Sequence, residues 1–202
     1  DSYARFKNAL PRRLAEDDAV SIVYSGGLDH NRWRSLVDLA DAAEILSKDG
    51  YKIKIAVMTG DIPAEAVSAM KNPYIRIYPA PSHEDVPAIF KGADILFLPE
   101  SFDAAEAEII KLSISTKAHL YMMSERPIIV YGSRETGVVD YALENGWGIV
   151  IDSHDEVELS NMVRQLIIDR KMCQDIVANG LKVASINHEA SKVRDQLRRD
   201  MC

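Results

Sequence analysis

Short apolar runs alternate with amphipathic stretches along almost the whole chain. The first run, Ala19–Tyr24 (AVSIVY), is β-branched and stops at Ser25-Gly26-Gly27, which predicts a buried strand ending in a tight turn. Trp33, Leu36, Val37, Ala40, Ala43 and Leu46 then recur at helical spacing, with Arg34, Asp38, Asp41 and Lys48 on the other face and Gly50 as the C-terminal cap. The alternation continues. Strands are expected at Lys52–Met58, Tyr74–Tyr78, Asp94–Leu98, Pro127–Tyr131 and Gly148–Ile151. Helices are expected at Pro63–Met70, around Val86–Phe90, at Ala104–Lys111 and at Glu135–Glu144, the last capped by Asn145-Gly146. Two more are striped by Leu159, Met162, Val163, Leu166 and Ile167, and by Cys173, Ile176, Val177 and Ala184. At the N-terminus Tyr3, Phe6, Leu10 and Leu14 mark a helix over residues 2–14, bent or interrupted at Pro11.

Six apolar strands separated by helices predict an α/β fold. It is a doubly wound parallel six-stranded Rossmann-like sheet, in the order 3-2-1-4-5-6, with terminal helices. The expected division is a terminal helix or linker over 1–17, the Rossmann-like domain over 18–185 and a polar helical tail over 186–202. In such sheets ligands bind beyond the C-terminal strand ends, near the switch between strands 1 and 4. The loops that reach this point are Ser25–Arg32, Pro99–Phe102 and the stretch Ser113–Val130 (SISTKAHLYMMSERPIIV).

Composition narrows the partners. With 202 residues and 47% hydrophobic side chains, one full core is affordable. A net charge of −7 argues against nucleic acid as a partner, without excluding a local anion site. Cys173 and Cys202 have no framework or metal spacing, which suggests a reducing, cytoplasmic location. No run approaches the roughly 20 apolar residues of a membrane span. Asp1 opens the chain in place of a methionine, so it reads as a piece of something longer.

Two stretches carry candidate chemistry. Ser115, Thr116 and Lys117 open a short helix, where unpaired N–H groups and a cation favour an anion; plain capping with a solvated lysine is the alternative. SGGLDHNRW ends a strand and opens a helix without spelling G-x-G-x-x-G, and no P-loop motif is present. Gly26 and Gly27 let backbone donors approach an anion, and Arg32 precedes the helix. If Arg32 and Lys117 both face the switch point, they form a clamp for a diphosphate and stabilise it as a leaving group, with no metal required. Elsewhere the bland readings prevail. Asp152, His154, Asp155 and Glu156 read as helix capping, by Ser153 or Asp155. Asp103, Glu106 and Glu108 read as a solvated helix face, His30 as a loop histidine, and His119 as a core or surface residue. Lys192, Arg194, Arg198 and Arg199 read as a solvated helix end.

These residues resemble the C-terminal, donor-binding half of a retaining group 1 glycosyltransferase of the GT-B fold, in its polysaccharide-biosynthesis branch. VYSGGLDHNRWRSLVDLADAA is similar to that class's first strand, turn and helix. GADILFLPES resembles the strand before its donor-sugar loop. STKAHLYMMSERPIIVYG resembles its S/P-T-K-x-x-E-Y-x-x-x-G-x-P-I-I segment, and ETGVVDYALENGWGIVID its closing helix and strand. Together they cover about residues 18–152. The resemblance implies binding of a nucleoside-diphosphate sugar, with Arg32 and Lys117 catalytic on the diphosphate and Gly26 and Gly27 giving it room. It puts Ser115 and Thr116 at the phosphate or ribose, Glu100, Ser101 and Phe102 at the sugar, the base near the loop after Tyr78, and Tyr121 among the donor-binding residues. It implies no cofactor, an N-terminal acceptor-binding domain as partner, and leaves open a peripheral membrane association of the longer enzyme.

Four departures stand out. Leu120 occupies the place of the acidic residue for the ribose hydroxyls, Gly27 that of an arginine, and Glu125 that of the glycine before Arg-Pro. ESFDAAEAE lacks the glutamate and Gly-Phe-Gly sugar pattern. Leu120 and Glu125 favour a rival reading, a non-catalytic binding or assembly module that has lost the donor site; half of a sugar-nucleotide epimerase of similar architecture is a further, less favoured alternative.

Overall fold

The computed structural model describes residues 2–15 and 18–200. Cys202, and the side chain of Tyr3, lie outside what is described. Six parallel strands, β1 (Val20–Ser25), β2 (Ile53–Thr59), β3 (Ile75–Pro79), β4 (Ile95–Pro99), β5 (Ile128–Tyr131) and β6 (Ile149–Ile151), pair in the order β3-β2-β1-β4-β5-β6. This is the expected Rossmann-like sheet. The central strands are buried on both faces, which is why their sequences read as continuous apolar runs.

Alternation along each strand splits the interior into two cores. Ile22, Tyr24, Ile55, Phe97 and Tyr131 face α2 (Arg32–Lys48) and α7 (Glu156–Ile168), which add Leu36, Leu39, Leu46, Leu159 and Val163. Val23, Ala56, Leu96 and Val130 face the other way. There they meet α3 (Val86–Gly92), α5 (Lys117–Met122), α6 (Gly137–Asn145) and α8 (Arg170–Asn187), through Phe90, Tyr121, Val139 and Ala184. Each fully buried Leu or Ile contributes about 1.5–3 kcal/mol, so the two-sided burial fixes which loops emerge beyond the strand ends. The remaining helices are α1 (Ser2–Asn8), α4 (Ala104–Ile110) and α9 (Ala190–Asp200). Among the described residues no helix is long and apolar enough to cross a membrane.

Local chemistry sets the ends. Gly50, at φ +88°, follows α2, and Gly146, at φ +62°, ends α6. Asp155 caps α7, accepting from the Val157 and Glu158 N–H groups at 2.8 and 3.0 Å. Asp103 caps α4 in the same way.

Two helices differ from expectation. α1 stops at Asn8 rather than continuing to residue 14. Pro11 lacks an N–H and clashes with a helical turn before it, so the chain leaves the helix. It is then held by Arg12 N–H to the Ala88 carbonyl at 2.8 Å and by Arg13 to Asp94 at 3.1 Å. Residues 64–70 form consecutive turns instead of the helix expected over Pro63–Met70. The turns close through Ala66 N–H to the Pro63 carbonyl and Met70 N–H to the Ala66 carbonyl, both at 2.9 Å, and the buried Ala66 and Met70 pin the segment on the α2 side.

Candidate functional site

The turn after β1 is built around close approaches. Gly26 N–H donates to the Met58 carbonyl at 2.9 Å, and Ser25 N–H donates to the Tyr121 hydroxyl at 3.1 Å. A Cβ on Gly26 would come within 2.6 Å of Lys117 Nζ and 2.8 Å of the Tyr24 hydroxyl; one on Gly27 would collide with the Asp29 carboxylate. Tyr24 Oη donates to the Gly27 carbonyl at 2.5 Å. His30 and Asn31 then both take left-handed φ, 55° and 56°, before α2 begins. Non-glycine residues adopt this conformation at a cost of about 1–2 kcal/mol each. His30 is held there by Glu106, with Nδ1 2.8 Å from Oε2, and by Asp29 at 3.3 Å.

Arg32 and Lys117 meet beyond β1 and β4. Arg32 Nε donates to Glu100 Oε2 at 2.9 Å and Nη1 to Asp29 Oδ2 at 3.2 Å. The side chains of Arg32 and Glu100 are 13% and 3% exposed, whereas that of Asp29 is 61% exposed. Ser35 Oγ donates to the Glu100 carbonyl at 2.7 Å, so α2 grips the loop after β4 through both side chain and main chain. Lys117 stands on the opposite wall, its Nζ 5.8 Å from the centre of the Tyr24 ring.

The electrostatics follow from this crowding. Burial pushes the Lys117 ammonium down from its ordinary value, and the neighbouring Arg32 adds to that, against Glu100. Burial pushes the Glu100 carboxyl up against the opposing pull of Arg32. Burial pulls Arg32 down, but the combined attraction of Glu100, Tyr24 and Asp29 outweighs it, and the guanidinium is held above its ordinary value. The two partners pull in different directions, and the 2.9 Å contact to a permanently charged guanidinium makes an ion pair the better description. One carboxylate thus serves two cations at the switch point, and the only further anion bonded to Arg32 among the described residues is exposed. Beside it a cavity of about 410 Å³ opens between the ends of β1 and β2, lined by Gly27, Asp29, Thr59, Gly60 and Asp61 among others.

The other sequence candidates fall in different surroundings. Ser115 Oγ accepts from Lys117 N–H at 3.4 Å, and exposed Thr116 begins α5 without a side-chain cap. Ser101 is buried, its hydroxyl accepting from Asp103 N–H at 3.1 Å. Phe102 lies edge-on to Tyr131 and stacks on His154, ring centres 4.9 Å apart and planes 11° apart. Tyr121 has no exposed surface, and its described role is to hold Ser25. Tyr78 sits on the sheet face away from α2, with the Arg76 guanidinium 5.6 Å from its ring centre. Leu120 lines a small gap of about 60 Å³ with Phe6, Val86 and Pro87, and with Arg5 and His83. Glu125 has φ +62°, the conformation glycine adopts without strain.

Farther along α2 is a cluster that the sequence showed only in part. Asp38, 8% exposed, receives the Tyr131 hydroxyl at 3.2 Å and lies 3.0 Å from His154 Nε2 on the same oxygen, Oδ2. Glu156 joins them, so that one ligand atom from each lies within 4.8 Å of the others. His154 and Glu156 stand out in the sequence beside the capping Asp155, but nothing in helical periodicity pairs them with a residue on α2.

No family model matches this chain, and no curated protein matches it in sequence. Solved structures do match in fold. The chain superposes on the Anabaena protein Alr3699/HepE, solved with UDP-glucose, with a TM-score of 0.68 at 13% identity, covering 91% of this chain and 49% of that one. The α,α-trehalose 6-phosphate synthase of Burkholderia multivorans gives 0.65 at 12% identity, covering 91% and 42%. WaaG, a glycosyltransferase of lipopolysaccharide biosynthesis, gives 0.59 at 16% identity, covering 93% and 48%. The chain spans less than half the length of each. At these identities the likeness is one of fold.

Proposed function

We propose that this chain is the nucleotide-sugar-binding half of a retaining glycosyltransferase that acts on a polysaccharide or other glycan acceptor. The observation that carries the reading is the meeting of Arg32 and Lys117 over Gly26 at the switch between β1 and β4. Two cations on opposite walls suit a diphosphate, and their attraction grows as the sugar–phosphate bond breaks and charge accumulates on the leaving group. Exposed Asp29 is the partner a diphosphate would replace at Arg32, while buried Glu100 keeps the guanidinium aimed. The fold of a UDP-glucose-bound structure and of a named glycosyltransferase supports the same reading. So does the order of the four sequence segments that resemble the donor-binding half of that class. The acceptor and part of the catalytic machinery then belong to a second domain of the longer polypeptide.

Calorimetric titration of this chain with UDP, GDP and ADP tests the donor site. Binding of one of them is the expected result. No binding by any at millimolar concentration, with the protein folded, overturns it. That outcome favours a non-catalytic module, the reading supported by Leu120, whose apolar side chain cannot accept a hydrogen bond from a ribose hydroxyl.

A further inference from the structure

We propose that Asp38, His154 and Glu156 form a binding site for a divalent transition-metal ion of the Zn²⁺ type, separate from the Arg32–Lys117 pair. The proposal goes beyond the donor-site reading and does not depend on it. Three features support it. The donor set is one imidazole nitrogen and two carboxylates, which suits Zn²⁺ or Mn²⁺ better than the all-oxygen sites of Mg²⁺ and Ca²⁺. Its geometry is close to that of a coordination sphere. Tetrahedral ligands about 2.0–2.1 Å from an ion lie roughly 3.3 Å apart; Asp38 and His154 are 3.0 Å apart, and all three ligand atoms fall within 4.8 Å. Finally, the ligands are already oriented. Tyr131 Oη bonds the Asp38 carboxylate, and Phe102 stacks against the His154 ring, contacts that fix a ligand's direction from outside the sphere.

The local backbone explains the arrangement. Asp155 is extended, φ −144° and ψ 109°, so His154 and Glu156 project to one side while Asp155 turns the other way to cap α7. Two carboxylates with a neutral imidazole carry two negative charges, which a divalent ion neutralises. His154 remains 57% exposed, leaving a route for the ion to enter. Once bound, the ion clips the loop between β6 and α7 onto α2, beside the loop that carries Phe102.

The test is calorimetric titration of the chelator-treated chain with zinc sulfate and with magnesium chloride. Because Asp38 is buried, the more accessible partners carry the comparison, as His154→Gln and Glu156→Gln, with circular dichroism to confirm folding. The expected result is one Zn²⁺ per chain, at least about 100-fold tighter than Mg²⁺, weakened at least tenfold by each substitution. Absence of stoichiometric Zn²⁺ binding overturns the proposal. So does Zn²⁺ binding unchanged in both variants, which would place the ion at another histidine.

Discussion

Arg32 and Asp38 stand on one helix, less than two turns apart, and keep opposite company. At Arg32 a single buried carboxylate faces two cations, and the further anion, Asp29, is exposed. At Asp38 two carboxylates face one histidine. Both clusters draw on the C-terminal ends of strands, yet their walls differ. Around Arg32 the wall is backbone, a glycine turn over which Lys117 reaches from the far side of the sheet. Around Asp38 it is aromatic, made of Phe102 and Tyr131. On the two proposals above, the Arg32 end of α2 would receive an anion and the Asp38 position a cation. A single helix can support both because each charge is answered within a few ångströms, well inside the roughly 8 Å screening length.

The contrast can be broken at several points. The largest effect is expected at Lys117. In an enzyme of the proposed kind, Lys117→Ala should lower turnover by about 10²–10³, as for other lost charge-stabilising donors. Wild-type turnover in that variant would remove the lysine from the proposed mechanism and leave Arg32 to act there alone.

Stability separates the two carboxylates next. Glu100→Gln leaves Arg32 without its buried counter-charge. Breaking a buried pair costs about 3–5 kcal/mol; discounted for the remaining exposure of the guanidinium, about 2–3 kcal/mol is expected in urea unfolding. Asp38→Asn keeps an acceptor for Tyr131 and relieves a carboxyl that burial holds above its ordinary value. Its cost should stay under about 1 kcal/mol in metal-free buffer. Equal losses at the two positions would show that their charge environments do not differ as described.

A smaller effect concerns α5, which carries Lys117. His119 and His188 lie with ring centres 6.0 Å apart, and Tyr141 Oη is 2.9 Å from His188 Nε2. Burial holds both histidines below their ordinary value, and at His188 the nearby His119 adds to it. With folded values lowered, the unfolded chain takes up protons first as pH falls. Stability should therefore decline from about pH 6.5 downward and level off below the folded values. In thermal melts between pH 7.5 and 5, His119→Gln with His188→Gln should flatten that decline while leaving the Asp38 cluster untouched. An unchanged slope would mean that other groups govern the acid limb.

How much of this was legible in the sequence follows from where each signal is stored. The sheet order was readable because the buried central strands leave apolar runs that no polar alternation disguises, and the more exposed edge strands β3 and β6 are still short β-branched stretches between turn signals. Glu125 was marked as standing where a glycine belongs, and its φ of +62° is the physical reason. Pro63 and the apolar Ala66 and Met70 satisfy a helix pattern, yet the chain forms turns over residues 64–70; length alone does not separate the two outcomes, since α5 is a helix of six residues. At the site, Arg32 and Lys117 were visible as cations beside turn and helix signals. That Glu100 binds Arg32 was not, because a glutamate after a strand looks the same whether it faces a ligand or a neighbour. The Asp38 cluster was half visible, since its members come from α2 and from the start of α7 and only the fold brings them together.

One contact constrains how this chain tolerates change. The Tyr121 hydroxyl takes the N–H of Ser25 at the end of β1, so a rigid aromatic strut sets the span between the glycine turn and α5. The connecting loop over residues 111–116, where Leu112 is 96% exposed, does not set it. A polar replacement of Leu112 there should leave the gap between the walls unchanged, whereas the backbone of Lys111 and Ser113 is packed closely against Gly137. Shortening the strut, as in Tyr121→Ser, would change the width of the gap without altering any group that lines it.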